Sequence, residues 1–91
     1  MDARKIVGTN LKRLRVAQNI TQERLALEAL IDRAYVGRIE RGEENVTLDR
    51  LDALAAVLKV PIGALFEVPL KKAVAGLRAG RKPKDKMTKR R

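Results

Sequence analysis

The chain has no cysteine, no histidine, no tryptophan and no serine, and only one tyrosine and one phenylalanine among 91 residues. Each gap removes a class of answer. Without Cys there is no disulfide framework, and without Cys and His no zinc site of the usual kind. Without Ser, Cys or His, most nucleophile and base pairings are unavailable. The glycines form no phosphate-cradling motif, and no paired-carboxylate pocket is suggested. An enzyme is therefore not expected, nor a metal or a cofactor. No apolar run approaches the ~18 residues of a membrane span. The N-terminal stretch is amphipathic and charged, unlike a signal peptide.

What is present is aliphatic. Hydrophobic residues make up 45% of the chain, so Leu, Ile, Val and Ala must fill the interior. That favours packed short helices over a β-sandwich. The length suits a single domain with a small core.

The charge is divided unevenly. Residues 1–67 carry 11 Lys/Arg against 10 Asp/Glu, whereas residues 68–91 carry 10 Lys/Arg against Asp85 alone. The expected organisation is a folded unit over 1–67 and a basic, largely flexible tail over 68–91. The RKPKDKMTKRR stretch is too charged to fold alone. A polyanion is the natural partner: nucleic acid first, an anionic membrane surface second. LKKAVAGLRAG, just before, has room for two weak helical turns.

Five short helices are expected. Val7, Leu11, Leu14 and Gln18 recur at helical spacing over 6–18, with Asn19 as a stop. Thr21 is an N-cap for a helix over 22–29, and Asp32 for one over 33–41 that ends at Gly42. Residues 43–46 form a loop, and Thr47 caps a helix over 48–59. Pro61 stops that helix or opens the next, a short one over 61–66 that returns Ile62, Leu65 and Phe66 to the core.

The close succession of the helices over 22–29 and 33–41 is the spacing of a helix-turn-helix, in which the first helix braces and the second enters a DNA major groove. At about 100° per residue, Val36 and Ile39 define the inner face of the second helix, with Glu40 near them. Ala34, Gly37, Arg38 and Arg41 point outward, Tyr35 lies on the flank, and Arg33 projects from the first turn. Arg33 and Arg38 have the chemistry for bidentate bonds to guanine, and Ala34 for a thymine methyl. Gly37 costs about 1 kcal/mol against alanine in a helix. Its expected benefit is close approach of the groove, with Tyr35 and the arginines serving DNA rather than the core.

The stretch TQERLALEALIDRAYVGRIERGEENVTLDRLDALAAVLKV resembles the Cro/repressor-like (XRE-type) helix-turn-helix family. The matching features are TQ at the start of the brace helix, LA within it, YVGRIERG in the second helix, and NVTL before the fourth. The likeness covers roughly residues 6–66. DRAYVGRIERGEENVTL is in particular similar to the controller proteins of restriction–modification systems. The resemblance implies an all-α, five-helix repressor-like domain, with the helix-turn-helix at about 21–42. It also implies a cytoplasmic transcription regulator of bacterial or phage context, binding a symmetric site on double-stranded DNA as a homodimer. Carried over by position, Arg33, Ala34, Tyr35 and Arg38 fall on base-reading positions. Gln22, Arg41 and Asn45 fall where the DNA backbone passes. Arg15 and Glu40 match a pair that bridges the first and third helices. Ile62, Leu65 and Phe66 are candidates for the dimer contact, although they are equally candidates for the core. Two positions depart from the family: Leu30 replaces a glycine of the turn, which puts a left-handed conformation there in question, and Val46 replaces a frequent proline.

Two other readings stay open at this stage. One is an antitoxin-like, protein-binding regulator on the same fold; the other is a weakly specific nucleoid-binding protein dominated by its tail. A contact with RNA polymerase, on Glu43, Glu44 or elsewhere, is also undecided.

Overall fold

Four helices stop in the same way, and the stops explain much of the architecture. In this computed structural model, which describes residues 2–68, α1 spans Ala3–Ala17, α2 Gln22–Ala29, α3 Arg33–Glu40 and α4 Leu48–Leu58. Each ends at or shortly before a residue of positive φ: Asn19, Leu30, Gly42 and Lys59. The residue that follows each of them then bonds back to an orphan carbonyl: Ile20 to Arg15, Ile31 to Ala26, Glu43 to Arg38 and Val60 to Ala55. This is the left-handed closure that satisfies helix C-termini. Only Gly42 makes it without a side-chain penalty.

The helix starts are equally uniform. Asp2, Thr21, Asp32 and Thr47 accept the backbone N–H of Lys5, Arg24, Tyr35 and Arg50, at 3.0, 3.0, 2.7 and 3.2 Å. Each satisfies one of the otherwise unpaired amides of a first turn. The Asp2 cap starts α1 at Ala3, three residues before the segment 6–18 expected from the sequence. Leu30 adopts φ 61° and ψ 41°, so the turn keeps its left-handed form although the glycine is missing.

The fifth element differs from expectation. Ile62–Phe66 is a 3-10 turn rather than an α-helix. Pro61 supplies the accepting carbonyl for Ala64, at 2.9 Å, and the segment ends before a longer helical ladder can form. The basic segment expected beyond the domain lies, from residue 69 on, outside the described residues.

All five elements contribute to one core. Leu11, Leu25, Val36, Leu54 and Leu65, one from each, are 0% exposed; each such burial is worth about 1.5–3 kcal/mol. Leu65 is thus core, and a partner subunit cannot reach it. Ile62 is half-buried and Phe66 is 44% exposed. Two polar side chains fasten the ends of the domain. Asn10, itself buried, donates through Nδ2 to the carbonyls of Leu65 and Glu67 at 3.0 and 2.8 Å. Gln18 does not extend the apolar stripe of α1; it donates to the Leu58 carbonyl at 2.8 Å, at the end of α4.

Close approach of α1 to α3 requires Gly8. A Cβ at that position would run into the Ile39 carbonyl oxygen and lie 2.9 Å from that of Glu40. The approach sets the end of α3 against α1 and so fixes the direction in which α3 projects.

Candidate nucleic-acid interface

Residues 30–32 join α2 to α3, and the closure at Leu30 together with the Asp32 cap defines the angle between them. Arg33 and Ala34 occupy the first turn of α3 and are exposed. A depression of ≈ 340 Å³ lies beside Arg33, lined also by Arg15, Thr21, Gln22 and Glu23. It opens where the amides of α2 begin, a setting favourable to an anion.

The buried link beneath this face centres on Glu40. Arg15 donates to its two carboxylate oxygens, from Nε at 2.7 Å and from Nη2 at 3.0 Å. Gln22 adds a third bond, from Nε2 to Oε1 at 2.9 Å. The third guanidinium nitrogen of Arg15 donates to the Ile20 carbonyl. Gln22, a candidate for the DNA backbone, is therefore half-buried and tied to α3, with its amide oxygen directed elsewhere than to Glu40.

Tyr35 is not on an open flank. It is 9% exposed and belongs to the core cluster. The guanidinium of Arg50, from the first turn of α4, lies 4.8 Å from its ring centroid, and that of Arg38 lies 5.6 Å away. Such contacts hold an arginine by the ring's negative face without cancelling its charge. A wheel drawn for α3 alone does not include the cover that α4 supplies. Gly37 is buried as well, where outward projection was expected. The Arg41 side chain folds back over it, with Nη1 3.3 Å from where a Cβ would stand.

The remaining candidates are exposed or half-exposed. Arg38 donates from Nε to Glu44 Oε2 at 2.6 Å, and this hydrogen bond raises its pKa above the ordinary arginine value. Arg41 pairs with Glu43 at 3.2 Å, in the open, while Asn45 is exposed in the loop that follows. Arg33 and Arg50 have no carboxylate within ion-pair distance among the described residues. Arg50 was absent from the candidates read from sequence, as was the part Glu44 plays at Arg38. Arg50 carries a local clue, its place three residues after the Thr47 cap, but its meeting with Tyr35 is tertiary.

Exposed cations thus gather on and beside α3, above a buried anchor. A family model described as helix-turn-helix matches residues 11–65. The chain belongs to the XRE-type helix-turn-helix family. The control protein C.SmaI of Serratia marcescens is 38% identical over 66 residues, which are 72% of this chain and 79% of that protein. The restriction–modification controller protein C.AhdI of Aeromonas hydrophila is 40% identical, with a TM-score of 0.68, over 69% of this chain and 96% of that one. The hypothetical transcription factor NHTF of Neisseria has a TM-score of 0.73 at 31% identity, over 81% of this chain and 85% of that one. This helix-turn-helix chain is accordingly a DNA-binding transcription regulator rather than an enzyme. Among the described residues, no helix is long and apolar enough to cross a membrane.

Proposed function

We propose that this regulator binds a symmetric operator as a homodimer, with α3 in the major groove, and controls genes of the restriction–modification type. The observation that carries the reading is the placing of Arg33, Ala34 and Arg38 on the accessible side of the second helix of the pair. Arg33 and Arg38 read base edges, and Ala34 packs on a thymine methyl. Arg41 and Asn45 grip phosphates on one side of α3, and Gln22 on the other. Tyr35 acts from beneath, as a ring that supports Arg38, rather than as a primary base contact.

A dimer suits the patch where Leu48 and Phe66 are 69% and 44% exposed. Phe66 and Leu48 rim a groove of ≈ 200 Å³ that also reaches Val7 and Leu51. Two copies joined there would present their α3 helices to half-sites about one helical turn, ~34 Å, apart. The basic residues of segment 68–91 add phosphate contacts that carry no sequence preference. A contact with RNA polymerase follows only if the operator lies beside a promoter.

The testing experiment is capture of random duplex DNA by the full-length protein at about 0.15 M salt, followed by sequencing. A two-fold symmetric motif is the expected result, and its genomic positions identify the regulated genes. Bound DNA without a motif would replace this reading with a packaging role.

A further inference from the structure

Arg38 raises a difficulty for a DNA-facing helix: it is already bonded to a carboxylate. Glu44 is only 25% exposed and the bond is short, 2.6 Å. A negative charge at a DNA interface repels phosphate and weakens binding to every sequence. A loop built only for affinity would avoid it. The neighbouring pair, Arg41 with Glu43, is 60% and 53% exposed, which leaves it to solvent screening.

The geometry at Arg38 suggests what the carboxylate contributes. Glu44 occupies Nε, and the Tyr35 ring lies against the guanidinium at 5.6 Å from its centroid. Arg50, on the same ring at 4.8 Å, adds like charge nearby and discourages Arg38 from folding further over Tyr35. The two Nη groups hold no hydrogen bond among the described residues. They are the end-on pair of donors, and a bidentate contact to guanine O6 and N7 needs two parallel donors held in one plane.

We propose that Glu44 is a positioning residue for sequence discrimination, holding Arg38 end-on toward the base edges while lowering affinity for DNA in general. The inference rests on the reading of Arg38 as a base contact. It assigns Glu44, the second of the two acidic residues after Gly42, to selectivity, and it predicts that removing that carboxylate tightens binding while blurring it.

The test uses the full-length protein and an operator defined by selection. Affinities are measured for that duplex, for duplexes substituted at each base pair, and for an unrelated duplex. The proteins are wild type, Arg38→Ala, Glu44→Gln and Glu43→Gln, each checked for folding by circular dichroism. Arg38→Ala is expected to lose preference at one base pair of each half-site. Glu44→Gln is expected to bind the unrelated duplex more tightly and to lose about fivefold of preference at that same pair, part of the roughly 5- to 150-fold that a bidentate contact supplies. Glu43→Gln is expected to tighten binding to all duplexes alike. If Arg38→Ala loses preference and Glu44→Gln keeps it in full, the positioning role is overturned and the base-reading role of Arg38 stands. If Arg38→Ala loses none, both fall, and the Arg38–Glu44 pair is a plain surface ion pair.

Discussion

Arg15 and Glu40, 25 positions apart, are joined by two charge-assisted hydrogen bonds of 2.7 and 3.0 Å, with the Glu40 side chain 4% exposed. The pair ties α1 to the end of α3, and Gln22 brings α2 into the same network. The network fixes the end of α3 to both α1 and α2 from beneath its exposed face. Removing one partner leaves a buried charge, which costs much more than the pair contributes. Arg15→Ala should therefore destabilise the domain by about 3 kcal/mol, measured by urea unfolding. The double change Arg15→Met with Glu40→Leu should recover most of that loss. Recovery no better than in the single variant would mean that the ion pair itself stabilises the fold.

Gly8 and Gly63 make a matched comparison. A methyl group at Gly8 collides with the backbone of α3, whereas nothing lies within 4 Å of a Cβ at Gly63. Gly8→Ala should cost about 1–3 kcal/mol by overpacking, and Gly63→Ala should stay within about 0.5 kcal/mol of wild type. Thermal unfolding of the two variants side by side decides the matter; equal melting temperatures would contradict the packing described for α1 and α3.

Leu30 stands at φ 61° and is 90% exposed. It contributes little to the core and carries the steric cost of a left-handed residue. Leu30→Gly should stabilise the domain by about 0.5–1 kcal/mol, after allowing for the freer unfolded chain. A destabilised variant would show that the exposed leucine makes a contact of its own, for instance in an assembly.

These cases also mark what was legible in the sequence. The caps Thr21, Asp32 and Thr47 act locally, and local chemistry placed α2 at its observed limits. The family resemblance is carried by short local motifs taken together: TQ, LA, YVGRIERG and NVTL. Other features depended on contacts between distant segments. Asn10 looks like an ordinary polar residue of α1 until Leu65 and Glu67 arrive beside it. Tyr35 looks exposed until α4 places Arg50 on its ring. Gly37 looks like a cleared surface until Arg41 folds over it. Over the single turn Ile62–Phe66 the apolar spacing suits an α-helix and a 3-10 turn alike, so the pattern does not separate them.

Asn10 offers a further check on that long-range wiring. Asn10→Ala removes the donor from two carbonyls of the C-terminal segment. A loss of about 1–3 kcal/mol is expected, with faster hydrogen exchange in the 3-10 turn than in α2. Uniform exchange changes across the domain would contradict a local fastening role.

Base reading by α3 is tested by DNA selection performed in parallel with wild type and Arg33→Ala. The same two-fold motif is expected for both proteins, with sequence information lost at one base pair in each half-site of the variant and an affinity cost there of about 1–3 kcal/mol. Identical motifs and affinities for the two proteins would contradict it.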